Sequence, residues 1–335
     1  MSIDSPSLSL DILGAKNDVH ATNCVLRENQ TKLLGRGSLD YILSVRNETL
    51  RNKGYRVPED WDHSWTKSLG PIWTPESIGL HLETWLSPEY YKPDSADPTV
   101  CGAITNRADN SATPSEWVQS TLASMPVFEK DTSVRNHEGL NFDGVRTNMR
   151  APSAAEWYML DQDFIIAVVV TPLDSNTSAP IVSKKNNANF SLHYDSTGSN
   201  KSYVFYMNSV ALSAIRPSLT GTAANLVVCG RISGKAFLSV LGTFTEAASA
   251  DTTSFSDSQK PWLGDQAANA AEYLGRIHEV VVVNDNMTSG TNVITMVLIE
   301  QIEGYLANKY NLVSGLPSTH TYKDSPPRAS IRKES

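Results

Sequence analysis

The chain has 335 residues and a formal net charge of −8, length enough for one large β domain with extensions or for two modest domains. That acidic balance argues against a general nucleic-acid or anionic-membrane binder, and no run of about eighteen apolar residues exists to span a bilayer. Three widely spaced cysteines, Cys24, Cys101 and Cys229, supply neither a disulfide framework nor a metal knuckle and read as free thiols.

The opening MSIDSPSLSLDILG has an early aspartate and no basic region ahead of an apolar stretch, so no secretory signal peptide is expected. Met1 to Gly37 carries scattered apolar residues without a period and reads as an arm. A helix is predicted near 39–53, capped by Ser38 and stopped by Gly54, with Leu39, Ile42, Leu43 and Leu50 as a partial apolar face. From Tyr55 onward Trp61, Trp65 and Trp73 sit among Pro58, Gly70 and Pro71. Aromatic residues in an irregular connector anchor it to a neighbouring surface, and the sharper alternative is an exposed stacking platform for sugars. Residues 1–70 are therefore expected to form an anchoring extension.

Short strands punctuated by Gly, Pro, Asn and Ser clusters follow: Leu80–Leu86, Gly139–Phe142, Phe164–Thr171, Ile181–Ser183, Phe190–Tyr194, Tyr203–Met207, Leu226–Arg231, Ala236–Leu241 and Ile277–Val283. Such punctuation predicts a β-sandwich or jelly roll. Phe190, Leu192 and Tyr194 alternate with Ser191 and His193, which places His193 on a solvent face. Ser233-Gly234 is a tight-turn candidate inside a hairpin.

Ile277 to Val283, with its consecutive valines, suits a strand covered on both faces. A helix near 289–311 is predicted next, capped by Thr288 or Ser289, with Ile294, Leu298, Ile302, Tyr305 and Leu306 as its apolar stripe and Glu300, Glu303 and Asn311 on the other side. Residues 313–335 lack a period and read as a solvated tail. In it Lys323, Arg328, Arg332 and Lys333 outnumber Asp324 and Glu334.

In order along the chain, PIWTPESIGLHLETWLSPEYY, SMPVFEK, GLNFDGV, GRISGKAFLSVLG, WLGDQ, LGRIHEVVVVND and IEGYLANKYNL resemble the strands, turns and terminal helix of concanavalin A-like, laminin-G-like jelly-roll domains, in the version common in bacteriophage structural proteins. GAITNRADNS departs from the pattern, which places a Trp and an Asp before a Gly-Asn turn there. The resemblance implies a mainly β sandwich over 71–312 with a C-terminal helix. It gives the motif residues structural roles.

No catalytic, cofactor or metal constellation is expected. A Gly-x-Ser-x-Gly elbow, a P-loop and a His-Glu-x-x-His motif are all missing from the sequence. Glucanases of this fold need two carboxylates facing one cleft, whereas Asp161 and Asp163 flank a strand edge and Glu279 stands among valines. Asn284 to Asn286 read as a turn before they read as calcium ligands.

Resemblance and missing signals together lead to the expectation of a non-enzymatic bacteriophage virion component, such as a capsid decoration protein, made in the host cytoplasm. It would bind other virion proteins and copies of itself, without nucleic acid or membrane. Trp61, Trp65, Trp73, Arg328, Arg332 and Lys333 are the candidate partner-binding residues. The alternative is a lectin-like module for surface glycans, and a glycoside hydrolase comes third.

Overall fold

The computed structural model describes residues 72–328, apart from 109–113, 135–136, 158, 160–161, 174–177, 185–189, 197–200, 209, 216–222, 252–259, 266–271 and 286–292. The arm, the helix predicted near 39–53, Cys24, Trp61, Trp65, Asp161, Arg332 and Lys333 therefore lie outside the described residues. The chain divides into two compact units, Trp73–Pro327 and a second made of Met1–Ile72 with Arg328–Ser335. Of the second, Ile72 and Arg328 are described, and they pair in an isolated antiparallel bridge.

The first unit is built from β1 (Leu82–Leu86), β2 (Tyr91–Pro93), β3 (Cys101–Thr105), β4 (Glu116–Val118), β5 (Val127–Asp131), β6 (His137–Asp143), β7 (Met149–Arg150), β8 (Phe164–Pro172) and β9 (Ala179–Lys184). It continues through β10 (Phe190–Asp195), β11 (Ser202–Met207), β12 (Val210–Ile215), β13 (Asn225–Ile232), β14 (Lys235–Val240), β15 (Thr243–Ala250), β16 (Trp262–Leu263), β17 (Leu274–Asn284) and the helix α1 (Met296–Lys309). Among the described residues these make two antiparallel sheets. One runs β15-β14-β13-β8-β17-β6-β5 with β1 also on β17, and the other runs β12-β11-β10-β9-β16-β7-β4-β3-β2. The fold is a mainly β, jelly-roll-like antiparallel sandwich with a C-terminal helix, as the sequence predicts.

Two cores explain the layers. Phe164, Ile166, Val168, Val227, Leu238, Ile277, Val280 and Val282 meet Ile181, Val182, Phe190, Leu192, Tyr203 and Phe205 of the other sheet. On the opposite face of the first sheet, Ile165, Ala167, Val169, Leu226, Val228, Val281 and Val283 meet Leu298, Ile299, Ile302 and Leu306 of α1. Strands β8 and β17 are thus apolar on both faces because a layer covers each face. On β13, beside β8, Gly230 at φ 154° leaves no room for a side chain, since a Cβ would fall 2.0 Å from the Phe164 carbonyl oxygen.

Some expectations need correcting. The helix starts later than Thr288 or Ser289: Thr295 is its N-cap, accepting the Leu298 N–H at 3.2 Å. Ile294 and Ile299 flank that cap in one buried cluster, the arrangement of a hydrophobic staple. At the other end Asn311 terminates the helix at φ 60°, and the Leu312 N–H reaches back to the Ala307 carbonyl at 2.7 Å. Glu303 is buried, not on a wet face. It accepts the Ser239 hydroxyl at 2.5 Å and lies 3.2 Å from His320 Nε2. The Tyr322 N–H donates to His320 Nδ1 at 3.1 Å, so His320 is a neutral ring donating from Nε2. The chain after the helix, which has no period in the sequence, is held there. Lys323 Nζ donates to the carbonyls of Val313, Ser314 and Leu316.

Two acids of the frame, one fully buried and one half-buried, bear on stability in different ways. Glu279, fully buried on β17, accepts Trp85 Nε1 at 2.7 Å and the Tyr310 hydroxyl at 2.6 Å, and pairs with Lys309 at 2.6 Å. Leaving that carboxylate unpaired is expensive. Lys309→Met is expected to cost about 3 kcal/mol or more in urea unfolding, and adding Glu279→Gln to recover part of the loss. Simple additivity of the two changes would refute this coupling.

Glu83 on β1 accepts the Trp157 N–H at 2.5 Å and Asn284 Nδ2 at 3.1 Å, holding Trp157 in the left-handed region at φ 59°. Burial pushes its pKa up to about 7 against those two hydrogen bonds. The native state therefore keeps a proton that the unfolded chain has lost, and the stability this contributes fades as pH rises from about 4.5 to about 7. Glu83→Gln is expected to raise the melting temperature at pH 8 and flatten its slope over that window. An unchanged slope would show that Glu83 is not the group responsible.

Candidate functional site

The two-residue strand β16 organises the solvent face of the second sheet. Pro261 precedes it, accepting the Ala151 N–H at 3.0 Å. Gly264 ends it at φ 76°, where a Cβ would lie 2.2 Å from the Phe142 ring. Alternation sends Leu263 inward, 1% exposed, and Trp262 outward. β16 lies between β7 and β9, so Trp262 stands directly opposite Arg150 on one side and Ser183 on the other.

The pairing continues across the sheet. Val118 opposes Arg150, Ser183 opposes Ser191, Ser191 opposes Tyr206, and Tyr206 opposes Ala211. Directly opposed residues share a face, so Val118, Arg150, Trp262, Ser183, Ser191, Tyr206 and Ala211 form one row on the solvent side. The matching inward row, Met149, Leu263, Val182, Leu192, Phe205 and Leu212, is core or packs on it. In the outer row Val118, Arg150 and Ala211 are exposed, Trp262 and Tyr206 are half-buried, and both serines are buried. Two rings stand over a serine floor, roughly 14 Å apart by three interstrand spacings.

Each ring is braced. The Arg150 guanidinium lies 3.8 Å over the Trp262 ring centroid, and the His193 ring meets Tyr206 edge-on at 4.9 Å. His193 Nδ1 is 2.7 Å from the Ser178 carbonyl, which can only accept, so Nδ1 carries the proton and Nε2 accepts the Ser191 hydroxyl at 2.9 Å. Burial pushes the His193 pKa down to about 4, against the Ser178 carbonyl and Asp195. His193 is on the outer face as alternation predicts, yet it is not solvent-facing, because Tyr206 and its two serine partners enclose it.

Beyond Trp262, polar groups form a chain. The Ser183 hydroxyl donates to the Asp265 carbonyl at 2.7 Å. Gln119 Nε2 donates to Asn148 Oδ1 at 2.6 Å, and Asn148 Nδ2 lies 3.4 Å from Asp265 Oδ2. Glu272 is pushed up to about 7 by burial and by the negative charges of Asp265 and Asp143, against Arg146. Asp143 goes the other way. Burial raises it, but the N–H groups of Val145, Arg146 and Thr147 and the Thr147 hydroxyl prevail and hold it below the ordinary range. Those donors belong to its own Phe-Asp-Gly turn, so this carboxylate closes a loop.

The residues singled out in the sequence fall elsewhere. Trp73 is buried, edge-on to Tyr305 at 6.2 Å, and Arg328 is half-buried in the other unit. Asp163, expected as a solvated strand-edge acid, is 8% exposed and accepts the N–H groups of Ser233 and Gly234 at 2.7 and 3.0 Å. It caps the hairpin turn, whose two central residues have φ of 50° and 74°. Trp73, Trp85, Trp117 and Trp157 are all at most 5% exposed, which leaves Trp262 as the half-exposed tryptophan among the described residues. The tryptophan composition did not single it out, and its only signal was the Trp-Leu-Gly motif, a two-residue strand before a turn. Cys101 and Cys229 are buried free thiols. Among the described residues no group of three or more His, Cys, Asp or Glu could hold a metal ion, and no helix is long and apolar enough to cross a membrane.

No family model and no curated protein matches the chain. Solved structures similar in fold include a Trypanosoma rangeli sialidase in complex with 2,3-difluorosialic acid, at 14% identity and TM-score 0.43, with 61% of this chain and 30% of that one covered. Domain 4 of AbnA, a GH43 extracellular arabinanase from Geobacillus stearothermophilus, in complex with arabinotriose, matches at 14% identity and TM-score 0.38, covering 61% and 92%. The binding domain of Paraclostridial Mosquitocidal Protein 1 matches at 10% identity and TM-score 0.44, covering 69% and 53%. The match spans under a third of the sialidase's length. The structures named here are a sialidase, a domain of an arabinanase and the binding domain of a mosquitocidal protein, and the expectation of a bacteriophage virion component gives way to the carbohydrate-related reading argued below.

Proposed function

We propose that the chain is a glycan-binding module whose binding surface is the outer face of the second sheet, centred on Trp262. The observation that carries this reading is the cross-strand row itself, in which half-buried Trp262 and Tyr206 flank the buried Ser183 and Ser191. Sugars present apolar C–H faces and a rim of hydroxyls. Rigid aromatic rings beside a few fixed polar groups meet both requirements at small entropic cost. Asp265, Asn148 and Gln119, already hydrogen-bonded to one another, extend the polar part of the site.

A hydrolytic reading needs two carboxylates facing each other across the substrate. Glu272, with its pKa near 7, suits the acid role. Its ionised neighbour Asp143, however, spends Oδ1 on four donors of its own turn. Binding without turnover is the reading that this geometry favours.

On a glycan array the full chain is expected to bind a defined set of oligosaccharides. Trp262→Ala should weaken that binding at least tenfold, about 1.4 kcal/mol, with the melting temperature unchanged. An array without hits, or a Trp262→Ala variant that binds as tightly as wild type, would overturn the proposal.

A further inference from the structure

We infer that Arg150 makes this surface selective for acidic sugars, with the carboxylate of a uronic-type or sialic-type residue pairing with its guanidinium while the sugar ring lies against Trp262. The inference rests on the glycan-binding reading above and narrows it to a ligand class.

The described arginines show what is unusual about Arg150. Arg107 lies 4.2 Å over Trp85 and donates to Glu76 through Nε at 2.9 Å and Nη2 at 2.5 Å. Arg231, fully buried, donates to the Gln162 and Asp251 carbonyls. Arg276 pairs with Glu129 and Asp131. In these three an acceptor of the protein takes the guanidinium N–H groups, while the exposed Arg146 has neither such an acceptor nor an aromatic partner among the described residues. Arg150 has the aromatic partner, at 3.8 Å, and among the described residues no acceptor for its guanidinium. It is exposed, on the same row as the proposed sugar platform.

Stacking on an indole fixes a guanidinium in place yet leaves its in-plane donors unused, so the entropy of holding the side chain is already lost before a ligand arrives. The acceptor that best matches that fork is a planar carboxylate, bound through two parallel N–H···O contacts. A neutral sugar offers only hydroxyls, one contact at a time. Position selects as well. Asp265 reaches Asn148 in the polar chain beyond Trp262, and burial together with the negative charges of Asp265 and Asp143 raises the cost of ionising Glu272. A ligand carboxylate is repelled there and accommodated at Arg150, while hydroxyls of the same ligand find acceptors on Asp265 and Glu272.

The test is calorimetric titration of the full chain with two matched pairs: trigalacturonate against its carboxyl-reduced counterpart, and sialyllactose against lactose. The two pairs separate a uronate from a sialate as the source of the carboxylate. At least one acid is expected to bind about tenfold tighter than its neutral partner. Arg150→Gln should erase that difference by weakening the acid alone, Arg150→Lys should restore part of it, and Trp262→Ala should weaken acid and neutral ligand together. Near-UV circular dichroism checks that each variant is folded, and the wild-type comparison decides the matter even if one is not. Equal binding of acid and neutral ligand, or a preference that survives Arg150→Gln, overturns acid selectivity and leaves glycan binding standing. Array hits confined to neutral glycans do the same. An array with no hits at all overturns both.

Discussion

Everything in the sandwich unit depends on one buried charge. Glu279 sits at zero exposure in β17, directly before four consecutive valines, where an unpaired carboxylate is not tolerated. Its partners come from three places: Trp85 on β1, Lys309 in the last turn of α1, and Tyr310 at the helix cap. Closing the strand, seating β1 and docking the helix are therefore one event. The register shift between Ile277 and Glu279 makes it possible. Without that bulge, residues 277 and 279 would share a face. With it, Ile277 and Val280 both enter the sandwich core while Glu279 turns to the helix layer. Aromatic contacts spread outward from there, Trp85 to Tyr305 at 6.4 Å and Tyr305 to Trp73 at 6.2 Å.

That closure determines where recognition can occur. The sheet containing β17 has the other sheet on one face and α1 on the opposite one, so its central strands β13, β8 and β17 have no face open to a ligand. The second sheet commits only its inner face to the core. Its outer face carries the half-buried Trp262 and Tyr206 and the exposed Arg150 and Val118. A sandwich whose first sheet is covered at its centre on both sides offers the outer face of its second sheet as the surface proposed for binding.

Much of the frame was legible because its signals are local. The nine predicted strands are present with ends displaced by at most three residues, since β-branched runs between turn residues state their own burial. The Ser233-Gly234 turn is likewise local chemistry. Of the strands that went unseen, Tyr91–Pro93, Glu116–Val118 and Met149–Arg150 are two or three residues long, too short for any alternation to register, whereas Cys101–Thr105, Val127–Asp131, Val210–Ile215 and Thr243–Ala250 are longer but hidden by small or charged residues. The helix boundaries were misjudged because Thr288, Ser289 and Thr295 are equally good caps as residue types, and only the buried Ile294 decides among them. The candidate site was illegible for a stronger reason. Arg150, Ser183, Ser191, Tyr206 and Trp262 belong to five different strands, and their adjacency is a property of strand order and register. What could be read was Trp262 as part of a Trp-Leu-Gly motif, and that reading assigned it to structure.

The structural assignment of that motif holds for two of its three residues. Gly264 is where the chain must turn, because any side chain would strike Phe142, and Leu263 is core. With its neighbours fixed by packing and backbone, Trp262 is the residue of β16 whose side chain the fold does not consume. Its backbone is nevertheless as rigid as theirs, held between β7 and β9. A binding aromatic gains most from this placement: its position is enforced by residues that cannot change, while its own identity is free to answer to a ligand. The surrounding tryptophans, each closed into the interior, had no such freedom.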